Sequence, residues 1–204
     1  KLSMLGGGLI GLNWGIFVWA VESERVVEAS LGYFMNPLMN VFLGVVFLGE
    51  ALRKAQWLAV TFAAAGVLWL TISLNAFPWV SLTLAISFAL YGLIRKVAPA
   101  SPLEGLRVET SVLLIPAVAF VLLRGNASEN LTSDTATVIL ILLSGAVTGI
   151  PLLLFASSAK RIPLSILGIL QYITPTIQFL LGVFAYSETF DSNRLIGYSI
   201  IWSG

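Results

Sequence analysis

No polar interruption in this chain is long enough to hold a soluble domain, and the apolar runs between interruptions are mostly about as long as a bilayer is thick. A spanning helix needs about 20 mostly apolar residues. Eight such runs can be read, at residues 3–21, 28–49, 54–74, 79–97, 105–123, 136–158, 163–186 and 194–204, the last one short. Between them lie ESERVVE, GEALRKAQ, LNAFP, RKVAPASPLEGLR, RGNASENLTSD, AKRIP and SETFDSNR. The runs are continuous rather than alternating, so they read as helices and not as barrel strands. Hydrophobic residues make up 58% of the 204 and charged residues 10%, whereas a soluble domain carries roughly 25% charged residues. So few charges cannot cover a soluble core of this size. The expected fold is an all-α, multi-pass integral membrane protein whose first partner is the lipid bilayer.

What the chain lacks narrows its chemistry. It has no Cys and no His, which removes disulfides, thiolate nucleophiles, imidazole bases and the usual soft-metal ligands. There is no G-x-S-x-G, no H-E-x-x-H and no carboxylate pair at helical spacing in mid-membrane. No catalytic residue, metal site or cofactor is therefore expected, and an intramembrane enzyme is disfavoured. The phosphate-cradling G-x-x-x-x-G-K-[ST] is also absent, so ATP is not the driver within this chain. With a net charge of +1 and no polybasic run, nucleic acid is not an expected partner. Two N-x-[ST] triplets, at Asn126 and Asn130, read as an ordinary polar loop.

Lys and Arg fall unevenly on the two sides. The second, fourth and sixth breaks hold Arg53, Lys54, Arg95, Lys96, Arg107, Lys160 and Arg161, and Lys1 lies on the same side. The other breaks hold only Arg25, Arg124 and Arg194. By the positive-inside rule the richer side is cytoplasmic.

The chain also repeats itself. Residues 11–50, GLNWGIFVWAVESERVVEASLGYFMNPLMNVFLGVVFLGE, lie without a gap on residues 149–188, GIPLLLFASSAKRIPLSILGILQYITPTIQFLLGVFAYSE. Gly11 meets Gly149, Phe17 meets Phe155, Pro37 meets Pro175, Gly44 meets Gly182 and Glu50 meets Glu188; further on, Gly66 meets Gly204. The first copy starts in the first apolar run and the second in the sixth. An odd number of crossings separates them, so the copies cross the membrane in opposite senses. Inverted repeats are a device of secondary transporters, with the substrate site between the halves. The expected architecture is an inverted repeat of five-helix units, ten spanning helices in full with about eight represented here. Residues 1–74 are then the later part of the first unit (helices three to five). Residues 79–204 are the second unit (helices six to ten, the last truncated), and both form one membrane domain.

Several stretches bear a resemblance to a known family. EASLGYFMNPLMNVFLGVVFLGE followed by QWLAV resembles the RarD group of bacterial permeases, and so do SFALYGLIRK, VET and LGILQYITPT. This group belongs to the EamA-like branch of the drug/metabolite transporter superfamily. The resemblance implies ten transmembrane helices in two inverted units, both termini cytoplasmic, in the inner membrane of a bacterium. It also implies permease activity, in a group named for chloramphenicol sensitivity.

Candidate site residues follow from polarity inside apolar runs. Tyr33, Asn36 and Asn40, at i, i+3 and i+7, share one helix face. Their register partners are Gln171, Thr174 and Gln178. A buried amide without a partner costs about 1–3 kcal/mol, so this face should look into the bundle, either lining a substrate path or binding helices together. Asn13, Trp14, Tyr91 and Tyr172 are secondary candidates for the path. Pro37 and Pro175 free the carbonyls of Tyr33 and Gln171 and are candidate hinges, in a symmetric pair. Glu50 and Glu188 end their runs and read as helix-end anchors or loop caps. Glu28 starts a run, where the helix dipole favours an anion. Glu109 lies about a turn into its run with no cation nearby beyond Arg107; it is a candidate for a coupling proton, the alternative being a side chain that snorkels to the interface. Gly6, Gly7, Gly8, Gly44, Gly66 and Gly182 permit close helix approach.

The reading that gathers these features is a secondary-active permease that moves a small organic solute by alternating access, driven by a proton or sodium gradient. The alternative is a non-transporting membrane sensor or accessory subunit, which has no need of two mirrored gates.

Overall fold

The computed structural model describes residues 1–73, 77–123, 135–184 and 192–203, with no account of side chains at 178, 179, 181–184 and 192–194. The described residues form only helices and short connections. In chain order the helices are α1 (Leu2–Glu22), α2 (Val26–Leu48), α3 (Lys54–Ser73), α4 (Trp79–Val97), α5 (Pro102–Leu123), α6 (Thr135–Arg161), α7 (Leu164–Leu170), α8 (Ile173–Phe184) and α9 (Ser192–Trp202). The first six are each long and apolar enough to cross a membrane. The expected runs therefore appear as helices within a few residues of their predicted ends, with one exception. The run at 163–186 is not one helix: it breaks at Gln171 and Tyr172 into α7 and α8. The physical reason stands four residues downstream, because Pro175 offers no N–H to the carbonyl of Gln171 and its ring crowds that carbonyl.

The two prolines of the repeat do not leave the same mark. Pro37 lies inside an unbroken α2 and is fully buried. The expected symmetry of the two candidate hinges is thus absent from the backbone: the chain is continuous at one and broken before the other. Neighbouring helices hold α2 through its proline, since Gly32 leaves room for Ser81 and Leu84, and Leu31, Phe34 and Met35 pack with Ala85 of α4.

Helix α2 is the hub, against which α4 and α7 pack. Its course against α7 and α8 can be followed contact by contact. Glu50, just past its end, meets Leu164 and Ser165; Asn40 meets Gly168 and Gln171; Phe34 meets Tyr172. Rising numbers on one side meet falling numbers on the other, so the segments run antiparallel. Helices α3 and α9 behave alike: Gly66 faces Gly197 and Ile201, and Gly197 faces Leu70. Each of α2 and α3 thus packs against the segment that carries its own repeat copy, in the opposite sense. Small residues make these approaches possible. A Cβ at Gly168 would lie 2.7 Å from the carbonyl oxygen of Pro37, and one at Gly66 would lie 2.8 Å from that of Gly197. Ala20, Ala29, Ala85, Ala89, Ala156 and Ala159 fill other contacts. In lipid, close packing of this kind replaces the hydrophobic effect as the force between helices. Helix α6 and the second half of α5 expose apolar side chains along most of their length.

The two ends of the bundle differ chemically. At one end the turn between α1 and α2 carries Arg25, whose guanidinium sits over both Trp19 and Trp79 and pairs with Glu28 at 2.7 Å. Such a cation and its aromatic neighbours suit an interfacial belt. At the other end two lysines cap each other's helices. Lys96, closing α4, donates to the carbonyls of Ala159 and Ile162 at the end of α6 (3.1 and 2.6 Å), and Lys160 donates to Ala98 after α4 (2.6 Å). Ammonium groups satisfy the orphan carbonyls there and complement the helix dipoles. Helix α5 begins with a capping box in which Ser101 and Glu104 bond each other's backbone N–H.

Candidate functional site

The sequence places an amide pair on α2, and the fold gives that pair an acceptor on the other repeat copy. Gln171, at the break between α7 and α8, accepts through Oε1 from Asn40 Nδ2 at 2.5 Å and from Asn36 Nδ2 at 3.4 Å. The side-chain carbonyls of both asparagines are buried without a partner. Beside this knot the Tyr172 hydroxyl donates to the carbonyl of Phe34 at 3.2 Å. Phe34 and Tyr172 hold the same place in their respective copies, so the contact marks where the local axis relating the copies must pass.

On the Arg25 side of the knot lies a cavity of about 210 Å³. Asn13 and Phe17 of α1, Ala29, Gly32, Tyr33 and Asn36 of α2, and Leu84 and Phe88 of α4 form three of its sides. Gln171, Thr174 and Pro175 form the fourth. Five predicted path residues therefore meet: Tyr33, Asn36, Gln171, Thr174 and Asn13, with the candidate hinge Pro175 among them. Asn13 is anchored by its own bonds, donating through Nδ2 to the carbonyl of Leu84 and to Ser87 Oγ, both at 2.8 Å.

Other candidates stand elsewhere. Asn40 is fully buried beneath the cavity and does not line it. Tyr91 is also fully buried, stacked on Phe155, and its hydroxyl points to Glu109. Tyr172 packs into the core with Phe34 and Met35, Trp14 is exposed, and Pro37 lies behind the wall. The side chain of Gln178 lies outside the described residues, as do Glu188, Asn126 and Asn130.

Glu109 requires a correction. It neither snorkels nor lacks a cation: it is buried, 1% exposed, and pairs with Arg95 Nη1 at 3.2 Å while accepting from Tyr91 at 3.1 Å. Arg95 is equally buried and also donates to the carbonyl of Pro102 at 2.6 Å. It is therefore not a loop charge, and the positive-inside count loses one residue without losing its sense. Gly105 makes room for the guanidinium, and Gly6 and Gly7 let α1 close over the carboxylate.

Glu50 behaves as an anchor, but in trans. After α2 ends at Gly49 in a left-handed turn (φ 65°), the Glu50 carboxylate accepts from the N–H groups of Leu164 and Ser165 at 2.7 and 2.8 Å and from Ser165 Oγ at 2.7 Å. Lys96 approaches to 3.7 Å. Burial opposes its ionisation, but the two amides, the hydroxyl and the ammonium outweigh burial and hold its carboxyl below the ordinary glutamate range. With the paired lysine caps, this network closes the end of the bundle opposite the cavity.

The residues that sequence reasoning missed are Phe17 and Phe88 at the cavity, Ser87 behind Asn13, and Arg95 and Lys96 below it. Phe17 had a signal, its register match with Phe155. Phe88 and Ser87 had none, because nothing local separates a cavity-wall side chain from a lipid-facing one, and Arg95 and Lys96 showed only as charges at the end of an apolar run.

Comparison with known proteins bears on this geometry. The EamA-like transporter family matches residues 2–72 and 77–204. Protein RarD of Streptomyces exfoliatus is 45% identical over 204 residues, which covers 99% of this chain and 65% of that protein. An uncharacterized transporter of Bacillus subtilis, YojE, is 44% identical over 96% of this chain and 65% of its own length. The chloramphenicol-sensitive protein RarD of Pseudomonas aeruginosa is 35% identical over 97% of this chain and 66% of its own. The chain thus spans about two thirds of the length of these relatives. A solved crystal structure shares the fold with a TM-score of 0.69 at 18% identity, over 99% of this chain and 74% of that one.

Proposed function

Because the chain belongs to the EamA-like transporter family, we propose that it carries the central helices of a secondary-active permease, which moves a small organic solute across a bacterial inner membrane by alternating access. Residues 1–74 supply the later helices of the first five-helix unit and residues 79–204 the second unit. The observation that carries the reading is the cavity itself. It lies where two antiparallel repeat copies meet, and both copies contribute hydrogen-bonding side chains to it. Transporters of inverted-repeat design place their substrate at that junction, often beside a broken helix.

The cavity occupies the half of the bundle nearest Arg25, while Glu50, Lys96 and Lys160 close the other half. With the Lys- and Arg-rich side cytoplasmic, this arrangement is the outward-facing state. Helix α8, freed by its break from α7, is the moving part on the cavity wall; α2 is the fixed one. A proton or sodium gradient drives the cycle. Glu109 is the buried carboxylate available among the described residues, and a proton on it would leave Arg95 without its counter-charge and loosen α4 from α5.

The test is uptake and efflux by the full-length protein in proteoliposomes, screened over amino acids, metabolites and drugs with and without a pH gradient. Flux of at least one solute class is expected, lost in Asn36→Leu. Flux of no solute class favours the sensor or accessory reading.

A further inference from the structure

We infer that the cavity between α2 and the broken α7–α8 segment selects an uncharged, hydrogen-bonding solute with a flat apolar body, and rejects organic cations and anions. This inference rests on the transport reading above.

Among the described residues that line it, none is Asp, Glu, Lys or Arg. A charged solute would therefore leave water without meeting a counter-charge, which is costly in a low-dielectric site. A broken helix can still attract a carboxylate through free N–H groups at its second half, but here the donors around the break, that of Ile173 aside, are engaged. The Gln171 N–H goes to the carbonyls of Leu167 and Gly168, that of Tyr172 to Ile169, that of Thr174 to Gln171 and that of Thr176 to Tyr172, all between 3.1 and 3.3 Å. Pro175 has no N–H to offer. An anion finds no nest, and a cation finds aromatic rings but no carboxylate.

What the walls do offer is suited to a neutral polar molecule. Asn36 is 8% exposed, and its Oδ1 is buried without a partner while its amide nitrogen is turned to Gln171. It therefore waits for a donor. Asn13 spends its nitrogen on Leu84 and Ser87, which leaves its oxygen as a second acceptor. Donors come from the opposite wall, where Thr174 has its hydroxyl and Gln171, its oxygen already used, has its Nε2. Phe17, Leu84 and Phe88 supply the apolar faces between these groups. Donors and acceptors thus both line the cavity, with the Tyr33 hydroxyl able to act as either, and they match an amide or hydroxyl solute, whose own groups come in both kinds.

A matched series tests this. N-acetyl-phenylalaninamide is neutral, phenylalaninamide is a cation and N-acetyl-phenylalanine is an anion on one skeleton. In the full-length protein, which is Cys-free over this stretch, Thr174→Cys reports occupancy as protection from a water-soluble thiol reagent. Thermal unfolding of the unsubstituted protein gives a second readout that needs no variant. The neutral compound should protect and stabilise at concentrations at least tenfold below either charged one. Asn36→Asp places a carboxylate at the waiting acceptor and should reverse the order, with the cation then at least tenfold better than the neutral compound. Equal effects of the three, preference for a charged one, or no effect of the neutral one overturns the inference. The transport reading fails separately: if the neutral compound binds as expected but no solute crosses the bilayer, the selectivity stands and the permease does not.

Discussion

A buried amide and a buried carboxylate make different demands inside a membrane. The amide needs a neutral partner and can wait for a ligand; the carboxylate needs a counter-charge in the apo fold. Asn36 and Asn40 take the first course, sharing one oxygen of Gln171 and leaving their own oxygens bare. Glu109 takes the second with Arg95 and Tyr91. Removing one member of a buried pair costs about 3–5 kcal/mol because the other charge is stranded. Glu109→Gln should therefore lower the unfolding temperature in detergent strongly, and Glu109→Gln combined with Arg95→Gln should recover a substantial part of the loss; a double variant worse than either single would show that the pair is not the coupled unit described. The polarity of Glu109 was legible in the sequence, but its partner was not. Arg95 lies 14 residues away on another helix, near enough to the helix end to be counted as a loop charge, and only the room left by Gly105 lets it turn inward.

At the scale of elements, the repeat hides a difference between its copies. The same proline leaves α2 whole and stands just beyond the break between α7 and α8. Pro175→Ala should let the helix close across Gln171 and Tyr172 and slow transport at least tenfold, whereas Pro37→Ala should change it less. Spin-label distances across the break, short and narrow in the alanine variant, would check the structural half of this. If Pro37→Ala slows transport as much as Pro175→Ala does, α2 is not the fixed element and Pro37 is a hinge after all.

The Glu50 contact is an element-scale feature too, since it ties the end of α2 to the start of α7. Its carboxyl is held below the ordinary range in the fold, so the ionised form stabilises the folded state. That contribution is complete above the ordinary glutamate value of about 4.3 and is lost as pH falls through the folded value. Glu50→Gln should cost about 1–2 kcal/mol at neutral pH, in the range of a lost helix cap. The gap in unfolding temperature between the two proteins should narrow below about pH 4. A gap independent of pH would mean that the carboxylate's charge contributes nothing there.

For the whole molecule, the proposed alternating-access cycle predicts which positions water reaches from each side. Cys at position 36 or 174 should react with water-soluble thiol reagents from the non-cytoplasmic side and be protected by substrate; inertness of both would refute the cavity. Cys at position 53 should react from the cytoplasmic side alone, and the reverse labelling would invert the assigned orientation.

Much of this protein was decided in one dimension. Run length and the scarcity of charge determined that the chain is helical and spans the membrane, and the Lys and Arg asymmetry set the expected orientation, because lipid penalises unsatisfied backbone and misplaced charge wherever the helices sit. The repeat showed that the chain reads the same in two senses. Tertiary structure decided which polar groups meet. Gln171 reaches Asn36 and Asn40, Arg95 reaches Glu109, and Glu50 caps a helix more than a hundred residues away. Those pairings depend on helix rotation and approach, which rest on where a glycine lets two backbones close and where a proline opens one. Sequence periodicity names the face a residue shares, but only packing names what that face sees.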